Sequence, residues 1–375
     1  MRIVIVGAGV GGLVAAAGLQ ADGHDVALYE RRDDPGGLGA GLTLFGNSFA
    51  ALDAVGLGEA VRRISSDAVS RLRTGQRRPS GRWLVSLPPA AAPAIRTLHR
   101  PVLHRTLAER LEPEVLRLGV DAQVAADGSP IIRTPDREER FDLVVAADGL
   151  RSDARRRWGL DRGVRYAGYT AWRGVADHVD LTAGVGETWG RGQRFGIVPL
   201  ADDRAYWFAV QSTPAGTRPG DDRLTLREIF GGWHSPVPEC VEATPTEALL
   251  RHDIYDLARF PASFAAGRGL LLGDAAHAMT PDLGQGAGQA IEDAATLVLL
   301  LRDVPMSGLA AALARYDRIR RSRTRRFWRR SRLMGRLAQF SDPVSVGIRD
   351  AAIRVTPASL VSRAAETFGR WDPPR

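Results

Sequence analysis

The chain opens on a short apolar run, Ile3 to Val6. It breaks at a cluster of glycines and resumes as a helical stretch from about Gly12 to Ala21. Similar runs recur at Asp25–Glu30, Phe141–Asp148 and Gly269–Asp274. A continuous apolar run of about four to eight residues, bounded by turn residues, reads as a strand buried on both faces. Such strands belong to parallel sheets covered by helices. Each of the three later runs ends in an acid: Glu30, Asp148 or Asp274. From Val164 to about Val210 the pattern changes. Aromatic and β-branched residues alternate with glycine-centred turns, which predicts antiparallel sheet with one covered face. Residues 68–73 and 82–87 read as two strands joined by a polar turn at Pro79-Ser-Gly81, and 120–125 and 131–134 as two shorter ones. Helices are expected from Asn47 (as the cap) to Val55, stopped by Gly56. Others are expected at Arg96–Leu118, Leu224–Trp233, Leu249–Leu257, Gln289–Leu301, Leu309–Gln339, 344–354 and 358–368.

The fold class that follows is α/β. A discontinuous Rossmann-like domain takes residues 1–67, 96–163 and 262–340. An inserted antiparallel-sheet domain for the substrate takes 68–95 and 164–261. C-terminal helices occupy 341–375. The length of 375 residues allows two domains.

The loops that end the buried strands carry the chemistry. Gly7, Gly9 and Gly12 have the spacing in which the first glycine permits a tight turn, the second lets backbone approach a pyrophosphate, and the third packs helix on strand. Gly11 lies between them. The helix start offers unpaired N–H groups to phosphate, and Glu30 stands about 20 residues on, where a ribose acceptor is expected. Arg31 and Arg32 follow in a loop, then the small apolar segment Leu38-Gly-Ala-Gly41-Leu42-Thr-Leu44, suited to passing beside a flat ligand. A second site is Asp148-Gly149 with Ser152 and Arg155 opening a helix. A third is Gly273-Asp274, continuing through Pro281, Asp282, Gly284, Gln285, Gly286, Ala287 and Gly288 into a helix. Three such loops on one sheet edge suit a long ligand. FAD fits better than a nicotinamide dinucleotide, because its ribityl hydroxyls want an acceptor such as Asp274. Its ring wants N–H donors where negative charge develops.

Composition narrows the alternatives. Hydrophobic residues make up 44% and charged residues 25%, ordinary for a soluble globular protein. The single cysteine, Cys240, excludes an intramolecular disulfide and a Cys-rich metal site, fits a cytoplasmic protein and reads as an unreactive thiol. No metal-ligand spacing is present. The apolar start is interrupted by five glycines, unlike a signal peptide, and no other run approaches the roughly 18 residues of a membrane span. The net charge is +8, all cationic side chains being arginine. Much of the excess lies in Arg315–Arg336, interleaved with Tyr316, Ile319, Phe327, Trp328 and Leu333, which predicts one buried and one solvated face rather than a nucleic-acid surface.

The glycine fingerprint with Glu30, Asp148-Gly149 with Arg155, and Gly273-Asp274-Ala-Ala-His277-x-x-x-Pro281 together resemble the single-component FAD-dependent monooxygenases. This is the aromatic hydroxylase family of p-hydroxybenzoate, salicylate and FAD-dependent urate hydroxylases. The resemblance covers nearly the whole chain. It implies that the first motif binds the ADP half of FAD, that Asp148-Gly149 serves FAD and a transient NADPH or NADH, and that Gly273-Asp274 holds the ribityl chain. It also implies that Arg100 reaches the flavin phosphate or ribityl region, and that Leu38–Leu42 lines the isoalloxazine. The implied reaction is reduction of FAD by NAD(P)H, formation of a flavin C4a-hydroperoxide with O2, and hydroxylation of an aromatic or polyketide-like small molecule by a monomer or homodimer. Arg194, Tyr206 and Asp282 match residues that orient substrate or water in the urate hydroxylases. One departure is Gly288, where members often carry Asn; it is expected to alter a side-chain bond and leave the backbone donors. Trp172, Trp189, Trp207 and Phe195 are read as core, and His277 as structural. Tyr166 and Tyr169 are open between packing and binding. Other flavoenzyme activities on the scaffold (epoxidase, reductase, oxidative decarboxylase) and a non-catalytic flavin-binding role are the alternatives.

Overall fold

In a computed structural model that describes residues 1–34, 40–89, 95–357, 359–360 and 369–374, the buried apolar runs assemble into one six-stranded sheet. Its order is Ala265–Ala266, Gly269–Leu271, Leu143–Ala146, Arg2–Val6, Asp25–Tyr29, Leu116–Arg117. All pairings are parallel except the first. The central strand runs from Ile3 to Ile5 with no exposure, which is why it lacks the alternation of a half-buried strand. Helices Val10–Ala21 and Gly286–Leu301 pack on each other, and Gly18 meets Val298 there without room for a side chain.

The aromatic segment forms a seven-stranded sheet ordered Leu250–Leu257, Val164–Asp177, Arg204–Ser212, Gln193–Pro199, Val185–Trp189, Thr74–Arg77, Trp83–Leu87. Residues directly opposite in antiparallel pairs share a face. Trp172, Phe195 and Trp207 point to one side, against helices Asp222–Phe230 and Val237–Glu242. Phe195 and Trp207 stack at 5.2 Å, as core. Cys240 is buried in the same cluster, and that burial pushes its thiol up. Tyr169, Arg173, Glu187, Arg194, Tyr206 and Phe208 take the other face. Gly41–Leu44 pairs with Arg96–His99. Thr97 Oγ1 donates to the Pro199 carbonyl and ties this ribbon to the aromatic sheet.

Several expectations are corrected. Residues 249–257 form an edge strand, not a helix, because Leu250–Leu257 finds a partner in Val164–Asp177. Arg96–Leu118 divides into strand Arg96–His99, helix Arg100–Ala108 and a short edge strand, Leu116–Arg117. Ala68–Arg71 is a 3-10 turn, and the following strand begins at Thr74. The helix after the third loop starts at Gly286, a turn earlier than expected. Asn47 lies inside its helix and is no cap. Leu333, on the long basic helix Leu309–Ala338, is 58% exposed rather than buried. The expected helix over 358–368 falls largely outside the described residues, as do Leu38 and Gly39. No helix among the described residues is long and apolar enough to cross a membrane.

Candidate active site

The carboxyl edge of the parallel sheet gathers the three loops. Gly7 has φ +106°, and a methyl there would strike the Ala147 carbonyl. A methyl at Gly12 would overlap the Gly7 carbonyl, whereas at Gly9 it would meet nothing within 4 Å. Gly9 therefore serves no internal packing, and the space beside it is open to a ligand. The helix it begins has no side-chain cap, so its first N–H groups are available to an anion. Glu30 is buried; its carboxylate accepts from the N–H of Ala8 (3.0 Å) and of Arg32 (3.1 Å), bracing the turn. Arg31 and Arg32 are exposed beside it.

At the second loop, Gly149 turns with φ +82°, and Asp148 Oδ2 accepts from Ala154 N–H at 3.1 Å. Asp148 Oδ1 is buried without a partner among the described residues, an acceptor awaiting a donor. Arg155 is 1% exposed and donates to Asp161, the Ala275 carbonyl and the Leu150 carbonyl. It ties the second loop to the third rather than facing the opening. In the third loop Gly273 takes φ +63°, and its N–H donates to Asp293. Asp274 is exposed at the sheet edge, with Arg100 as an electrostatic neighbour. Pro281-Asp282-Leu283 is a 3-10 turn ending at Gly284 (φ +62°). The N–H groups of Gly286, Ala287 and Gly288 then open the next helix without a side-chain cap. A Cβ at Gly288 would lie 2.7 Å from Ser48 Oγ. A larger side chain at Gly288 would crowd Ser48, and the backbone donors remain. The donor edges, the open cradle at Gly9 and the unpartnered Asp148 oxygen fit a dinucleotide. Asp274→Ala tests the expectation that this carboxylate accepts from the ribityl chain. A hydrogen bond to an ionised group is worth about 1.5–3 kcal/mol, so FAD affinity should fall roughly 10- to 150-fold and the protein should purify mostly as apoprotein. The flavin-to-protein absorbance ratio measures this, and a normal ratio removes Asp274 from the cofactor.

Behind the third loop lies a buried charged network that sequence reasoning missed. Arg320 donates to Asp293 (2.6 Å), Glu292 (2.6 Å) and Gln289. His277 pairs with Asp293 at 2.6 Å, in the structural role expected of it. Asn47 donates to Gln285 (2.9 Å) and Glu292 (2.6 Å), so it joins the helices instead of capping one. Burial alone would raise both carboxylates, but Arg320 and Arg323 hold Glu292 below its ordinary range, and His277 with Arg320 does the same for Asp293. Because both are lowered on folding, their contribution is present above the ordinary carboxylate range and lost as pH falls through the depressed folded values. Removing the cation from such a site costs about 3–5 kcal/mol. Arg320→Met should lower the melting temperature most near neutral pH and flatten the acid limb of the stability–pH profile, because the two carboxylates then have less depression to lose; thermal melts from pH 3 to 7 test both.

The aromatic sheet meets the third loop at a second buried pair. Arg194 Nη2 donates to Asp282 Oδ1, with side chains 2% and 0% exposed. Tyr169 donates to Asp282 Oδ2 at 2.7 Å, its ring 5.6 Å from the guanidinium. Glu187 lies 3.6 Å from Arg194 and accepts from Trp189 at 2.7 Å. Burial alone would lower the Arg194 guanidinium; Asp282 and Glu187 outweigh it and raise it. Burial and Asp282 push the Tyr169 phenol well up. Tyr206 is on the same face, further along the sheet, with its ring against Gly41 so closely that a methyl there would overlap it. Leu42 follows in that ribbon and is half-buried. Burial raises the Tyr206 phenol, while Arg173, in hydrogen-bond reach, works the other way. Arg194 and Asp282 are thus brought together, with Tyr206 standing apart from them at the Gly41 ribbon. Tyr169, Glu187 and Arg173 complete the face; their period-two spacing on strands was the available signal.

The family described as FAD binding domain matches residues 1–331. The aurachin C monooxygenase/isomerase of Stigmatella aurantiaca is 36% identical over 96% of this chain and 96% of its own length. The 2-heptyl-3-hydroxy-4(1H)-quinolone synthase of Pseudomonas aeruginosa is 32% identical over 95% of this chain and 94% of its own. Among solved structures, a variant of HpxO from Klebsiella pneumoniae complexed with FAD matches with a TM-score of 0.88 at 26% identity, covering 98% of both chains.

Proposed function

We propose a specific reaction for this chain, which belongs to the FAD binding domain family and is an FAD-dependent monooxygenase: NAD(P)H- and O2-dependent hydroxylation of an electron-rich aromatic small molecule. Two relatives are named for aurachin and quinolone chemistry, so a bicyclic heteroaromatic carrying a ring oxygen is the substrate class proposed. Bound FAD supplies the redox and oxygen-activating chemistry; the protein binds, orients and excludes water. The observation that carries the reading is Tyr206, with Arg173 on the same sheet face, where that face presses against the Gly41–Leu44 ribbon. Burial keeps the Tyr206 phenol protonated and therefore a donor. A ring hydroxyl whose oxygen accepts from Tyr206, with the Arg173 charge beside it, loses its proton more readily. The resulting oxyanion donates into the ring more strongly than the neutral hydroxyl, so the adjacent ring carbon has the electron density that electrophilic oxygen requires. Arg194 and Asp282 fix the flavin loop against the sheet, so the substrate face and the ring end keep one geometry. We further place the ADP half of FAD at Gly7–Gly12 and Glu30, and its ribityl chain at Asp274.

The experiment is a panel of 4-quinolones, hydroxypyridines and phenols, scored for stimulation of NAD(P)H consumption by the holoenzyme. Stimulation by ring-oxygen members, weakened in Tyr206→Phe with unchanged FAD content, is expected. Equal consumption with and without every member counts against the reading.

A further inference from the structure

A cavity of about 340 Å³ opens beside Asp282. Its walls include Tyr169, Thr280, Asp282, Gln339 and Phe340, with Arg165, Arg332 and Arg336. The volume falls in the range of small-molecule sites, about 300–1,000 Å³, at the end that admits one ring and its substituents. The charge balance of the wall is positive. Arg165 and Arg332 share one carboxylate, Asp256, and Arg336 adds a third cation. Asp282, the acid in the wall, is already engaged by Arg194 and Tyr169. The Phe340 and Tyr169 rings supply flat apolar surface.

We propose that this cavity is a second small-molecule site, distinct from the flavin edge, that binds a planar aromatic monoanion: ring against Phe340, anionic group toward the arginines. The proposal does not depend on the reaction proposed above. An occupant touches Tyr169 and Asp282, and through Asp282 it bears on Arg194, so it couples to the flavin loop.

Benzoate is the probe and benzamide its neutral isostere, both titrated calorimetrically into holoenzyme at low ionic strength. One benzoate site is expected, with benzamide at least about tenfold weaker, as expected where charge complementarity sets affinity. Arg336→Glu and Phe340→Leu, each checked for normal FAD content and melting temperature, should each weaken benzoate about tenfold. Tyr206→Phe should leave it unchanged. Absence of benzoate binding, parental affinity in both cavity variants, or loss of binding in Tyr206→Phe with retention in Arg336→Glu overturns the proposal; the last would place benzoate at the flavin face.

Discussion

Gly9→Val abolishes FAD binding and leaves the apoprotein as stable as the parent apoprotein. Gly9 has φ −66° and ψ 175°, an extended conformation open to any residue, and a Cβ there meets nothing within 4 Å. The substitution therefore strains no backbone and fills no packed space. Its side chain would occupy the position through which a pyrophosphate must approach the first N–H groups of Val10–Ala21. Loss of two hydrogen bonds to a charged group, each about 1.5–3 kcal/mol, amounts to an affinity loss on the order of 100-fold or more. Gly12→Ala is the contrast. Its methyl overlaps the Gly7 carbonyl, so it should damage the fold itself and lower the melting temperature of the apoprotein. Flavin titration of refolded apoproteins, with melts alongside, separates the two. A Gly9→Val protein that binds FAD normally contradicts the placement.

Arg194→Ala should retain FAD, lose substrate-stimulated turnover by about 100-fold or more, and melt at a lower temperature. Deleting the guanidinium leaves the fully buried Asp282 carboxylate with Tyr169 as its remaining donor among the described contacts, and leaves Glu187 beside it without the shared cation. Stripping one partner from a buried pair costs about 3–5 kcal/mol. The uncompensated Asp282 carboxylate then moves toward water, which disturbs the turn that leads into Gly284–Gly288. Arg194→Lys keeps the charge and loses the planar fork, so partial rescue is expected. The double variant Arg194→Met with Asp282→Leu separates stability from function. Removing both charges can restore the melting temperature, yet turnover should stay low. Unchanged steady-state kinetics in Arg194→Ala would take the residue out of the active site.

Much of the fold was legible because parallel strands buried on both faces are written contiguously. Ile3–Val6, Leu143–Ala146 and Gly269–Leu271 need no partner to be recognised, and the glycines and acids that follow them are local signals. The Leu250–Leu257 strand was misread because Arg251, His252 and Asp253 interrupt its apolar residues with a spacing that also suits a helix; pairing with Val164–Asp177 decided the matter. Asn47 was read as a cap from its neighbours in sequence, but its partners Gln285 and Glu292 lie 238 and 245 residues away. Asp293 and Arg320 carried no motif signal and are visible only once two helices are packed. The same holds for Tyr169 and Glu187. Period-two spacing puts them on a face, but only sheet register puts them beside Arg194.

The central claim is that this FAD enzyme inserts one atom of molecular oxygen into an aromatic substrate held at the Tyr206 face. The most direct measurement is mass spectrometry of the product formed under 18O2 with holoenzyme, NAD(P)H and the panel member that most stimulates turnover. The expected product is heavier by one 18O atom, with none taken up from labelled water. Product without label from 18O2, or NAD(P)H oxidation that yields only hydrogen peroxide with every member, contradicts it.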